Sequence, residues 1–444
     1  MGFLMRSRLF LRRSVTAVGM YSSALVGFLG TIVAARAFST ATLGLYTLVL
    51  AATGFFQMLL DLTVEEAVIK YGFRYQAREE WGRFRRLFNR AFAFKASGNV
   101  LAAAALVGIA FAAEPLFGSD RLRTPLLIAA ALPLVQSMEG LAGTALILRG
   151  RYDIRALFLL VSAALRLTGI VVGTRFGLVE TILGIVVAQA AATLAIGAAG
   201  AYALGRFPRA PRTALGDDRR EIVRFVLQSS AATGVVSLRG TFAPLLLGIV
   251  TAPTQVGFFR VASSPQSGFA TLSAPARMVL LTEQTRDWEH GRRGVVFRGV
   301  RRYTAGAAVA MLVCLPPLLW FMPDVVRALF QAKNLGAVDA ARLISVAAGL
   351  QFVFGWTKSF PVSIGRPNLR VWTHGLETIV LVPLVLALGA AYGATGAGVA
   401  VLVATAAFAS FWTLLFLRIE RSPDDVQPEE AVVPEPVAGE LVTP

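Results

Sequence analysis

Residues 179–204 read VETILGIVVAQAAATLAIGAAGAYAL, a stretch whose one charged side chain, Glu180, stands at its start. About 20 apolar residues in a helix cross the hydrocarbon core of a bilayer. This run is long enough to do so, and a soluble core has no use for a segment so uniformly apolar. Comparable runs lie on both sides of it. The candidate spans are 15–35, 43–62, 88–112, 125–147, 156–175 and 179–204, then 225–249, 255–280, 303–322, 340–360, 371–391 and 394–417. Pro133, Pro244, Pro265, Pro316 and Pro383 fall inside spans, where membrane helices tolerate kinks.

Composition agrees with the runs. Of 444 residues, 56% are hydrophobic and 16% charged, and the mean hydropathy is +0.65. The charges collect between the spans, which marks an integral membrane protein. The formal net charge is +17, a value that suggests nucleic acid in a soluble chain. Here topology explains it. Arg74, Arg83, Arg85, Arg86, Arg90, Arg149, Arg151, Arg155, Arg206, Arg219, Arg220, Arg292, Arg298 and Arg301 are among the cations that crowd alternate loops. The opposite loops hold only Arg36, Arg121, Arg123, Arg175, Arg327, Lys333 and Arg342. The positive-inside rule then puts both termini in the cytoplasm, with no nucleic-acid partner. The basic N-terminus (Arg6, Arg8, Arg12, Arg13) precedes an apolar run longer than the core of a cleaved signal, so that run is read as a retained first helix. One cysteine, Cys314, and two histidines, His290 and His374, leave no basis for a disulfide framework, a metal site or a cofactor.

The two halves repeat. Gly150-Arg151-Tyr152-Asp153-Ile154-Arg155 parallels Gly365-Arg366-Pro367-Asn368-Leu369-Arg370; Gly44-Leu45-Tyr46 parallels Gly257-Phe258-Phe259; Phe176-Gly177 parallels Tyr392-Gly393. The offsets are 215, 213 and 216 residues, and their near-constancy is the signal. An even six spans per half keeps both halves the same way up, so they are expected to be related by an axis along the membrane normal. The expected organisation is a six-helix lobe over 1–204, a cytoplasmic linker over 205–224, a second six-helix lobe over 225–420, and an acidic, proline-rich disordered cytoplasmic tail over 421–444.

These residues resemble the polysaccharide-biosynthesis or O-antigen flippases of the multidrug/oligosaccharidyl-lipid/polysaccharide (MOP) exporter superfamily. Ala35-Arg36-Ala37-Phe38 leading to Leu43-Gly44-Leu45-Tyr46 is similar to the family's opening hairpin. Asp61-Leu62 with Ala67-Val68, Val256-Gly257-Phe258-Phe259, Gly365-Arg366-Pro367 and Tyr392-Gly393-Ala394-Thr395-Gly396-Ala397-Gly398 extend the likeness over 15–417. Thr63, Glu65-Glu66 and Phe259 depart from its usual pattern. The resemblance implies an all-α, MATE-like fold of about twelve transmembrane helices in two pseudo-twofold-related lobes. It also implies alternating-access export of an undecaprenyl-diphosphate-linked oligosaccharide across a bacterial inner membrane, with a glycan polymerase and glycosyltransferases of the same pathway as partners.

Intramembrane charges cost about 2.5–3.5 kcal/mol each on insertion scales and so need a reason. Arg166, with Ser162, Gly169 and Gly173 on one helical face, and Arg239 are the main candidates for holding an anionic cargo, because guanidinium makes paired hydrogen bonds to phosphate and stays charged in a dry cavity. Pairing with Glu139 or Asp61 is the plainer alternative for both. Arg260 joins them because its span is unusually polar (Ser263, Ser264, Gln266, Ser267), as a cavity-lining helix should be. Arg36 is counted with these cations. Glu139 and Asp61 are expected to be ion-coupling groups or charge partners, Lys95 and Arg277 to snorkel toward the interface, and Gly389 with Gly393 to pack helices closely. A drug exporter would favour acidic, aromatic cavities. A membrane glycosyltransferase or glycan polymerase would need a catalytic carboxylate in a shaped site, often in a large external loop, where the longest here offers Asp324 and Asp339. There is no GxxxxGK[ST] loop, so direct ATP hydrolysis has no support. The expected protein is a transporter and no enzyme.

Overall fold

A backbone in hydrocarbon must satisfy its own hydrogen bonds, so apolar runs of this length close into helices. The computed structural model describes residues 21–60, 64–216, 218–272, 280, 283–288, 290–366 and 368–421. Its first half contains α1 (Tyr21–Ala37), α2 (Thr40–Leu60), α3 (Val64–Ala77), α4 (Trp81–Phe111), α5 (Ala113–Phe117), α6 (Arg123–Ala129), α7 (Ala131–Gln136), α8 (Glu139–Leu148), α9 (Tyr152–Gly173) and α10 (Leu178–Gly205). The second contains α11 (Asp218–Val250), α12 (Pro253–Ala262), α13 (Ser264–Leu272), α14 (Arg293–Trp320), α15 (Met322–Phe330), α16 (Val338–Val353), α17 (Phe360–Ser363) and α18 (Asn368–Arg421). Among the described residues, eight helical stretches are long and apolar enough to cross a membrane. The span expected at 125–147 is broken into α6, α7 and α8, with Pro133 inside the middle piece.

The last stretch is two helices. Gly393 departs from helical geometry at φ 58°, and the His374 ring stacks on Phe408 at 5.0 Å. A straight helix would hold those residues about 50 Å apart, so the chain folds back at Gly393. That glycine is a turn and not half of a packing pair, which corrects the reading of Gly389 and Gly393. His374 is buried and bonds Glu377 at 3.2 Å.

The repeat seen in the sequence has a physical basis at two of its three pairs. Gly150 and Gly365 end equivalent helices with φ of 69° and 74°, a left-handed conformation that side chains with a Cβ resist. Gly44 lies against the Pro253 carbonyl, and Gly257 lies against the Thr40 carbonyl. Since 257 − 44 and 253 − 40 both equal 213, these are one contact made twice across a twofold axis. The central core follows from that crossing: Leu43, Leu48 and Val49 of the first half pack with Val256, Phe259 and Ala262 of the second.

The stretch between the halves lies on the first half's arginine-rich end. Phe207 packs on Trp81 and Phe84, and Arg85 donates to the Pro208 carbonyl at 3.1 Å. The first turn of α11 is held there as well: Tyr75 donates to Asp218 at 2.8 Å, and Arg74 pairs with Glu221 at 3.1 Å.

Lys95 does not snorkel. Its side chain is 4% exposed and pairs with Glu65, one of the two acids that depart from the family pattern. The pairing is reasonable at this depth because an ammonium taken from water needs an opposite charge beside it. Lys95→Met leaves Glu65 with that charge removed and is expected to destabilise the protein by about 3 kcal/mol or more. Thermal unfolding in detergent reads this out, and Lys95→Met/Glu65→Leu should recover most of the loss. A single variant as stable as the parent would show that the pair contributes little.

Candidate functional site

One cavity of about 520 Å³ lies between the halves. Its wall takes Ser23, Gly27 and Thr31 from α1, Tyr46 and Leu50 from α2, Glu139 from α8, Ser162 and Arg166 from α9, and Arg260, Ser263, Ser264 and Ser267 from α12 through α13. Arg166 is exposed to this space, while Arg260 and Glu139 are half-buried. Ser263 and Ser264 return their hydroxyls to the carbonyls four residues back, at 2.8 and 3.4 Å. That leaves their second hydrogen-bonding capacity free for water or a ligand.

The two arginines reach the cavity from opposite halves. Arg260 donates to the Thr31 hydroxyl at 2.8 Å and thereby ties α12 to α1. Arg166 donates to the Gln189 amide oxygen at 2.6 Å, and the Gln189 amide nitrogen donates onward to Glu139 at 2.6 Å and to Thr193 at 3.1 Å. Among the described residues no carboxylate is ion-paired with either arginine. Among the described residues the wall carries two cations and one acid, with the acid bonded to an amide, and so presents a net positive field to whatever enters. Such a space suits an anion rich in oxygen acceptors.

Other expected site residues stand elsewhere. Arg36 is not on the cavity wall. It caps α15 from the other half, donating from Nε to the Leu329 carbonyl at 2.9 Å and from Nη2 to the Ala328 carbonyl. Helix ends leave carbonyls without intrahelical partners, and an arginine is well suited to cover two of them. Lys333 donates to the Arg36 carbonyl at 2.7 Å, and Thr40 donates to Asn334 at 3.0 Å. The arginine-poor end is therefore clasped shut between the halves. Gln266 also misses the wall and bonds Gln351 at 3.2 Å, which reaches on to Thr405 at 3.1 Å. Gly169 and Gly173, expected beside Arg166 on an inward face, instead let α9 and α10 touch, since a Cβ on Gly169 would meet the Gly184 carbonyl at 2.5 Å. Asp61, Arg277 and the Arg239 side chain lie outside the described residues. The groups that sequence reasoning missed are Gln189, Thr193, Thr31 and Tyr46. Among the described residues no group of three His, Cys, Asp or Glu is placed to hold a metal.

The helical membrane fold is the one that solved MOP-superfamily transporters share. The chain belongs to the polysaccharide biosynthesis protein family, whose family model matches residues 13–281. Solved structures share the fold. The inward-facing conformation of a multidrug resistance MATE family transporter of the MOP superfamily superposes with a TM-score of 0.74 at 13% identity, covering 93% of this chain and 99% of that one. The inward closed conformation of the Lipid II flippase MurJ gives 0.70 at 12% identity, covering 91% and 90%. A MOP superfamily transporter from Pyrococcus furiosus, described as having a binding pocket of reverse polarity, gives 0.59 at 12% identity, covering 91% and 94%. No curated relative matches.

Proposed function

We propose that the chain flips an anionic, undecaprenyl-diphosphate-linked oligosaccharide across a bacterial inner membrane by alternating access, for cell-surface polysaccharide synthesis. The observation that carries this reading is the pair Arg166 and Arg260, facing one cavity from opposite halves with, among the described residues, no carboxylate ion-paired to either. Dehydrating a diphosphate is costly, and guanidinium groups offset the cost with charge-assisted hydrogen bonds in the geometry of phosphate oxygens. Membership of the polysaccharide biosynthesis protein family and the fold shared with a Lipid II flippase support the same cargo class.

In this reading the arginine-rich end faces the cytoplasm with both termini, the Arg36 clasp closes the outer end, and the halves correspond to the two lobes of 1–204 and 225–420. Cargo enters from the inner leaflet while the clasp holds and leaves outward when it parts. The test is the pool of undecaprenyl-linked oligosaccharide in a deletion strain and in its complemented parent, with leaflet sidedness resolved. The expected result is accumulation on the cytoplasmic side, reversed by complementation. An unchanged pool with altered sensitivity to cationic dyes would replace this reading with a drug exporter.

A further inference from the structure

Gln189 is 1% exposed and does not line the cavity, yet it touches both ionisable groups that α8 and α9 place on the wall. Its amide orientation is set by chemistry. Guanidinium can only donate and an ionised carboxylate can only accept, so the oxygen must face Arg166 and the nitrogen Glu139. Thr193, one turn along α10, accepts the second amide hydrogen at 3.1 Å and holds the side chain in that pose. Arg166 and Glu139 therefore stand on either side of a single amide group, each hydrogen-bonded to it.

We propose that Gln189 is a positioning residue that keeps Arg166 from collapsing onto Glu139, so that the guanidinium meets cargo with its charge unneutralised. This rests on the reading of Arg166 as a cargo-binding group. A direct Arg166–Glu139 pair would cancel the charge and occupy the fork that phosphate oxygens need. The amide avoids both outcomes. It satisfies one guanidinium donor, leaves the others toward the open cavity, and supplies the carboxylate with a neutral partner. Lys95 and Glu65 lie against Gly140, the residue after Glu139, and are joined to one another. Of the two cations that the described residues place on the cavity wall, Arg166 is the one that shares a hydrogen-bonding partner with Glu139.

The test uses the purified full chain in nanodiscs, titrated with undecaprenyl diphosphate. Gln189→Leu is expected to weaken binding roughly tenfold, the scale of losing one charge-assisted hydrogen bond. Gln189→Leu/Glu139→Gln should return to within about threefold of Glu139→Gln alone, because the competing carboxylate is gone. A merely structural role for Gln189 gives no such recovery. Gln189→Glu keeps the side-chain size and places a carboxylate directly on Arg166, so it should also weaken binding, and Glu139→Gln should not rescue it. This variant carries the test if Gln189→Leu fails to elute as a single species. Binding by both Gln189 variants at the parent affinity overturns the inference, as does a double variant no better than Gln189→Leu. Arg166→Ala separates the two readings: parent-like binding there removes Arg166 as a cargo-binding group, whereas weak binding there with normal Gln189 variants removes only the positioning role.

Discussion

Arg166→Ala and Arg260→Ala are each expected to lower glycan-lipid export at least tenfold with the protein still inserted in the membrane, and together to abolish it. A hydrogen bond to a charged partner is worth about 1.5–3 kcal/mol, or roughly ten- to a hundredfold in an equilibrium. Each guanidinium also offsets part of the cost of stripping water from a doubly charged head-group, so the loss should lie toward the upper part of that range. The lysine variants are expected to fall between, since ammonium keeps the charge and loses the planar fork. Arg260 carries an extra term through its 2.8 Å bond to Thr31, which joins the halves. Its alanine variant should therefore lower thermal stability as well. Export is measured in a complemented deletion strain, with membrane abundance checked by immunoblot. Normal export by both single variants would remove the cationic-cavity reading.

The residues that brought this site into view in the sequence were those whose cost is local. Arg166, Arg260 and Glu139 stand inside apolar runs where each charge needs a reason, and Ser263, Ser264 and Ser267 make one helix too polar for lipid; all of these now lie on one wall. The twofold arrangement was legible for a similar reason, because a turn or close crossing that requires glycine must require it in both copies. What escaped was whatever depends on a distant partner. Arg36 reads like any interfacial cation, since backbone carbonyls 292 and 293 residues away leave no mark on side-chain type. Lys95 reads as a snorkelling lysine until Glu65, from the neighbouring helix, is beside it. Gln189 offered a faint signal, as the lone amide in an otherwise small and apolar stretch. An amide deep in such a helix must find partners, but nothing in the run says that it finds two opposite charges. Gly169 and Gly173 were misassigned because small residues suit a cavity wall and a helix crossing equally well.

The crossing of α2 and α12 gives the second large effect. In an ordinary exposed helix interior, Gly→Ala stabilises by about 1 kcal/mol, through helix propensity and a less flexible unfolded chain. Gly44→Ala is expected to have the opposite sign, because the new methyl would overlap the Pro253 carbonyl, which is backbone and cannot swing aside. Gly257→Ala should behave alike, since its methyl would overlap the Thr40 carbonyl. Overpacking costs about 1–3 kcal/mol even where side chains can shift, so the helices must separate, and the strain falls beside the Thr40–Asn334 bond of the clasp. Both variants should therefore lose export at least tenfold by weakening the closed state of the arginine-poor end. Gly306→Ala, on α14 with no atom within 4 Å of the added methyl, is the control and should leave export unchanged. The closed state can be read directly by oxidative cross-linking of Thr40→Cys with Asn334→Cys, after Cys314 is changed to serine. The cross-link should form readily in the parent and with Gly306→Ala, and its yield should fall when Gly44→Ala is added. Equal yields and normal export in the Gly44 variant would mean that the crossing gives way without parting the clasp, and that the paired glycines serve packing alone.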